Sequence, residues 1–146
     1  MSKPDPLPRA TTRHVRDRCL CLAAQRAARA LARRFDQAFA PLDLTNGQFS
    51  LMMALNRPEP WLMREAAEML AMDRTTLTAA LKPLERRKLV TVAIDKADRR
   101  GRRLSLTAKG KALLVRAYPI WERTHEEVEG LLEDAARTRD ELWAIP

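Results

Sequence analysis

Apolar residues recur at helical spacing from Leu20 through Ala24, Ala27, Leu31 and Phe35 to Phe39, and no proline or glycine interrupts the chain between His14 and Phe39. This pattern predicts one long amphipathic first helix beginning near His14, preceded by a loose tail over residues 1–12 that carries Pro4, Pro6 and Pro8. Pro41 ends the helix. Thr45 as N-cap and Gln48 at the third helical position form a capping-box pair, so a second helix runs from there to about Leu55 and turns Phe49, Met52, Met53 and Leu55 inward. After the break at Arg57-Pro58-Glu59-Pro60, Trp61-Leu62 reads as a brief strand and Arg64 to Leu70 as a short third helix. Asp73 is a good N-cap for a fourth helix with Leu77, Ala80, Leu81 and Leu84 on its buried stripe. Val90, Val92 and Ile94 alternate with Thr91 and Ala93, and Leu104 and Leu106 alternate beyond a polar turn containing Gly101, which predicts a β-hairpin. Thr107 caps a fifth helix with Leu113, Ala117, Ile120, Thr124, Val128, Leu131 and Ala135 on one stripe, and Gly130 marks a candidate junction.

The predicted fold class is mainly α with a small β-hairpin. At 146 residues there is room for one domain with flanking helices, not for two independent domains. A net charge of +8 implies attraction to a polyanion, and its distribution says where. From about Trp121 onward Glu122, Glu126, Glu127, Glu129, Glu133, Asp134, Asp140 and Glu141 outweigh Arg123, Arg137 and Arg139, so the cationic charge belongs to the middle of the chain. No apolar run reaches the roughly 18 residues that span a bilayer, and the N-terminus has no stretch resembling a signal peptide. No membrane partner is expected, and the expected location is the cytoplasm. Cys19 and Cys21 do not make the framework of a secreted disulfide protein. His14 and His125 are too few and too far apart to build a metal site with them. No nucleophile, histidine and carboxylate set is recognisable, and nothing calls for a cofactor, so a non-enzymatic role is expected.

At about 100° per residue, Thr75, Ala79, Lys82 and Arg86 fall opposite the core stripe of the fourth helix, with Thr76 and Thr78 on its flanks. Threonine hydroxyls on such a face can bond bases or phosphates, and Arg74 at the helix start can grip guanine or a phosphate. Taken alone this is equally well an ordinary solvated face. The short helix, the Ala71-Met72-Asp73 turn and the longer helix, however, have the size and order of a helix-turn-helix. Lys96, Arg99, Arg100, Arg102 and Arg103 surround Gly101, and a hairpin so charged beside a helix-turn-helix reads as a wing for the minor groove.

The order of these elements and the phrases Leu44-Thr45…Gln48-Phe49, Glu65-Ala66-Ala67…Leu70-Ala71-Met72-Asp73-Arg74-Thr75-Thr76-Leu77-Thr78, Leu84-Glu85-Arg86-Arg87, Asp98-Arg99-Arg100 and Leu104-Ser105-Leu106-Thr107-Ala108-Lys109-Gly110 resemble the MarR family of bacterial transcription regulators. The resemblance covers roughly Cys19 to Trp121. It implies a single domain over residues 13–146, with a winged helix-turn-helix core at about 44–107 and N- and C-terminal dimerisation helices at about 13–40 and 108–146. It further implies a homodimer on a pseudo-palindromic double-stranded DNA operator, usually as a repressor, and a cleft between the lobes for a small phenolic or aromatic effector. By position it places DNA contacts at Arg74, Thr75, Thr76, Thr78 and Lys82 on the recognition helix and at Arg99, Arg100 and Arg102 on the wing. Asp98 is expected to brace a neighbouring arginine. Two departures stand out: Lys88 occupies a position where the family commonly has glycine, and Pro83 lies inside the recognition helix, where a bend is expected.

Cys21 falls on the apolar side of the first helix, at a distance from Thr45 that resembles the sensing cysteine of organic-hydroperoxide-responsive relatives. On one continuous helix Cys19 and Cys21 would point to nearly opposite sides. The tyrosines that surround such a cysteine are missing, since Tyr118 is the chain's single tyrosine. Trp61, Trp121 and Trp143 are candidates for an effector cleft or for core and interface. The reading is therefore a dimeric repressor relieved by an aromatic ligand or by oxidation at Cys21, with Cys19 as second candidate. The alternative is a winged-helix protein-interaction module without sequence-specific DNA binding.

Overall fold

The first helical stretch divides at one residue. In the computed structural model, which describes residues 6–146, α1 (Arg9–Arg18) and α2 (Leu20–Phe39) are separated by Cys19, whose backbone is extended at φ −75° and ψ 106°. This corrects the expectation of a continuous helix and moves the start of helical order from His14 to Arg9; the part of the expected tail at residues 1–5 lies outside the described residues. The physical reason lies in α1, which buries no residue and so has no packed stripe to hold it in register with α2. The Cys19 Sγ accepts the Leu22 N–H at 3.4 Å and serves as the N-cap of α2.

Helix α2 passes through a short 3-10 turn (Ala40–Leu42) to α3 (Asn46–Ala54). The capping box forms as the sequence predicts: Thr45 Oγ1 accepts the Gln48 N–H at 3.2 Å and the Gln48 side chain accepts the Thr45 N–H at 3.1 Å. Strand β1 (Trp61–Leu62), α4 (Met63–Met69) and α5 (Arg74–Arg86) follow, then β2 (Val90–Ile94) and β3 (Arg102–Leu106). The sheet is antiparallel in the order β1-β3-β2, and Leu104 faces Trp61 on one side and Val92 on the other. Helix α6 (Ala108–Glu129) runs back beside α2 and ends at Gly130, where the sequence marks a junction. Helix α7 (Ala135–Trp143) closes the chain.

Phe39, Met52, Leu77, Leu81, Leu84, Leu89 and Leu104 are fully buried, so the core sits where α2, α3, α5 and the sheet meet. Each such leucine contributes roughly 1.5–3 kcal/mol of transfer free energy. The predicted stripe of the first helix is covered only at its end: Phe35 and Phe39 are buried, while Leu20 and Leu31 are exposed.

Candidate nucleic-acid interface

The helix-turn-helix is set by two local devices. Ala71 adopts a left-handed backbone (φ 51°), and behind it the Met72 N–H donates to the Ala67 carbonyl at 2.9 Å and the Ala71 N–H to Glu68 at 3.1 Å, which closes α4 in a Schellman turn. Asp73 then opens α5, its carboxylate accepting the Thr76 N–H at 2.7 Å and the Thr76 hydroxyl at 2.8 Å. Those two bonds, the backbone one foremost, hold the Asp73 carboxyl below its ordinary pKa. Leu77 and Leu81 turn inward, leaving Arg74, Thr75, Thr76, Thr78 and Lys82 exposed on the other side. Their hydroxyls are not equivalent. Thr76 spends its proton on Asp73 and Thr78 donates to the Arg74 carbonyl at 2.7 Å, so Thr75 is the one of the three whose hydroxyl makes no bond among the described residues.

The wing turn spans residues 95–101 and is closed from inside. Asp95 is 8% exposed; its carboxylate accepts the Ala97 N–H at 3.3 Å and the Arg103 Nε at 3.3 Å, and these donors, Ala97 first, lower its pKa. The Asp95 N–H donates to Gly101, the Gly101 N–H to the Asp98 carbonyl, and the Asp98 carboxylate accepts the Arg100 N–H at 3.0 Å. Asp98 therefore braces Arg100 through its amide, while the guanidinium held by a carboxylate is that of Arg103, held by Asp95. Sequence reasoning passed over Asp95 because a lone aspartate at a strand end carries no distinguishing signal. Arg102 folds back onto the carbonyls of Arg99 (3.1 Å) and Gly101 (3.0 Å) and acts first as a clasp on the turn. Lys96, Arg99 and Arg100 remain exposed at the tip.

Wing and recognition helix meet at a notch of about 240 Å³ lined by Arg64, Arg74, Arg100 and Arg102, with Asp95 and Asp98 in its wall. The Arg74 Nη2 reaches the Arg100 carbonyl at 3.4 Å across it. Arg64, exposed on α4, has no partner among the described residues; the sequence reading missed it because it precedes the recognition helix by a full turn-helix unit. A helix face and a cationic finger thus converge on one opening.

Residues 42–101 match the sequence profile of the MarR family. Over 135 residues the chain is 33% identical to the HTH-type transcriptional regulator TtmR of Methylorubrum extorquens, a match that covers 88% of this chain and 69% of that protein. The chain belongs to the MarR family. This MarR-family chain is also 32% identical over 99 residues to the HTH-type transcriptional regulator YybA of Bacillus subtilis, covering 68% of itself and 63% of that protein. Among solved structures, the M. tuberculosis transcriptional regulator MosR in complex with DNA aligns with a TM-score of 0.80 at 38% identity, over 87% of this chain and 92% of that one. The transcriptional repressor CouR bound to a 23-mer DNA duplex aligns with a TM-score of 0.73 at 31% identity, over 90% and 92%. The mainly helical winged helix-turn-helix expected from the sequence is the fold observed.

Away from the notch, this MarR-family protein carries an aromatic stack: Trp121 lies 4.7 Å from His125, 6.0 Å from Tyr118 and 6.4 Å from Phe49. A cleft of about 420 Å³ opens beside it, lined by Phe49, Met53, Met69, Leu70, Tyr118 and Trp121 from α3, α4 and α6. The Tyr118 hydroxyl donates to Glu122 at 3.2 Å, and that bond raises its pKa. Of the three tryptophans only Trp121 lines this cleft. Trp61 packs under the Arg57 guanidinium (4.3 Å), and Trp143 is exposed beside a groove between α2 and α7. The cysteines depart from expectation. Cys21 is exposed and its Sγ accepts from Gln25 at 3.0 Å, because the apolar side of α2 is covered only near Phe35 and Phe39; Cys19, lying in the break, shares no helix with it. Among the described residues no group of His, Cys, Asp and Glu is placed to hold a metal, and no helix is long and apolar enough to cross a membrane.

Proposed function

We propose that this chain works as a homodimeric, non-enzymatic repressor that binds a pseudo-palindromic DNA operator in the cytoplasm and leaves it when a small aromatic ligand binds. The convergence of the recognition face and the wing tip on one cationic notch carries this reading. The DNA-bound relatives MosR and CouR support it. Arg74, Thr75 and Lys82 read or grip the major groove, with Thr76 and Thr78 offering their remaining lone pairs. Arg99 and Arg100 enter the minor groove, Arg102 contacts the backbone from its place at the turn, and Arg64 takes a phosphate facing the notch. The whole of residues 13–146 acts as one domain, with α2, α6 and α7 forming the dimer.

The effector site is the cleft beside Trp121. An aromatic ligand there touches α3, α4 and α6 together, so it shifts occupancy if it favours a dimer geometry that does not fit DNA. BpsR of Bordetella bronchiseptica, 27% identical with a TM-score of 0.73, is a relative whose DNA binding is regulated by 6-hydroxynicotinic acid. Oxidation is a second trigger, supported by the exposure of Cys21: a hydroperoxide is reduced to its alcohol as the thiol becomes a sulfenic acid, with Cys19 as the neighbouring thiol.

Footprinting on the DNA upstream of its own coding sequence, with and without phenolics and peroxide, tests the reading. The expected footprint has two half-sites about one helical turn apart. Binding weakens steeply with salt, and the peroxide response disappears in Cys21→Ser. Affinity that ignores both salt and sequence overturns the repressor reading in favour of a protein-interaction module.

A further inference from the structure

We propose that Arg87 is a positioning residue that fixes the tilt of the recognition helix against the long-helix frame and so sets which half-site spacing is accepted. The inference rests on the dimeric reading above. The reading end of α5 lies open, while its other end is gripped from two directions. From the turn after α2, the Arg87 Nη1 donates to the Asp43 carbonyl at 2.5 Å and Nη2 to the Leu42 carbonyl at 3.4 Å. From the start of α6, the Lys109 Nζ donates to the Arg87 carbonyl at 3.0 Å, the Thr107 hydroxyl to Lys88 at 2.6 Å and the Thr107 N–H to Leu89 at 3.1 Å. The turn is itself tied to α2, because Asp36 accepts the Asn46 N–H at 2.7 Å. Besides the shared apolar core, Arg87 is the side chain that ties the end of the recognition helix to the turn following α2.

Leverage makes this grip matter. A helix of 13 residues is roughly 20 Å long, so a tilt of about 10° about its gripped end moves the reading end by about 3 Å, close to the rise of one base pair. Arg87 is half-buried and its guanidinium is engaged by two carbonyls, which separates it from the exposed cations of the DNA face. Lysine retains the charge at this position but cannot span both carbonyls.

The test compares the parent, Arg87→Met and Arg87→Lys on the natural operator and on operators with one base pair inserted or deleted between half-sites. Sedimentation and a salt series accompany each titration. The parent is expected to be a dimer that discriminates between spacings. Arg87→Met remains a dimer, loses about tenfold on the natural operator and loses most of its discrimination, with an unchanged salt slope. Arg87→Lys falls between the two. Discrimination equal to the parent's in Arg87→Met, or in Arg87→Lys where the methionine variant does not fold, overturns the proposal. A salt slope reduced by about one also overturns it, because Arg87 is then a phosphate contact. A monomeric parent without spacing preference sinks the dimeric reading first, and this proposal with it.

Discussion

The Asp73 carboxylate is bonded twice by Thr76, and both bonds exist only when α5 is formed. Folding therefore favours its ionised form, and the folded pKa lies below the ordinary value of about 3.9. The stabilisation is complete above that ordinary value and is lost as pH falls through the lower folded one. Asn caps a helix without titrating, so thermal melts of Asp73→Asn in the acid range below about pH 4 are expected to fall less steeply with pH than those of the parent. Equal slopes would count against the cap as the source of the shift. Charge on the proposed DNA face is read differently. Arg64→Ala and Arg100→Ala are each expected to lower the slope of log affinity against log salt by about one and to weaken binding on every sequence alike, measured by fluorescence anisotropy. Thr75→Val, which removes the hydroxyl with no bond among the described residues, is expected to cost affinity on the operator more than on unrelated DNA.

Two elements meet where the recognition helix ends, and their packing has opposite demands on two neighbouring positions. Lys88 is left-handed at φ 57°, with the Leu89 N–H bonded to Leu84 at 2.9 Å and the Lys88 N–H to Glu85 at 2.9 Å. Lys88→Gly is therefore expected to stabilise the fold by about 1 kcal/mol in chemical denaturation. Gly110 requires the reverse: a Cβ there would stand 2.1 Å from the Leu89 carbonyl oxygen, so Gly110→Ala is expected to lose about 1–3 kcal/mol as α6 is pushed off the hairpin. Much of this level was legible in the sequence. Thr45, Asp73 and Thr107 declare their helices because an N-cap is a local chemical requirement, and the left-handed Lys88 follows from a glycine position in the resemblance. The break at Cys19 was not legible, since α2 keeps its helical spacing and only the lack of a packed face on α1 reveals that nothing holds the two together. The roles of Asp95, Arg64 and Arg87 also escaped, because each depends on a partner from a distant element: Asp95 on Arg103, Arg64 on the notch, Arg87 on the carbonyls of Leu42 and Asp43.

At the scale of the whole molecule, charge and apolar surface are separated along the chain's fold. The cationic notch and wing lie at the sheet, whereas the end formed by α2, the last turns of α6 and α7 leaves Leu131 (71%), Leu142 (56%) and Trp143 (71%) exposed around an apolar groove. Helix α7 buries no residue within its own chain; among the described residues it is held by its Asp134 cap on the Arg137 N–H at 2.9 Å and by exposed ion pairs, Arg139 with Glu129 at 3.6 Å and Arg137 with Glu141 at 2.9 Å. Exposed pairs of this kind contribute at most about 1 kcal/mol each, too little to order an isolated nine-residue helix with two large apolar side chains in water. In the dimer proposed above, burial against a second copy supplies the missing free energy and, with it, the second recognition helix. Sedimentation is expected to give twice the chain mass for the parent and the chain mass for Leu142→Glu with Trp143→Glu. Because the second half-site is then no longer bound intramolecularly, affinity for the full operator is expected to fall by about a hundredfold or more while single half-site binding persists. A variant that sediments as a monomer yet grips the full operator like the parent would show that the two half-sites are read without the dimer.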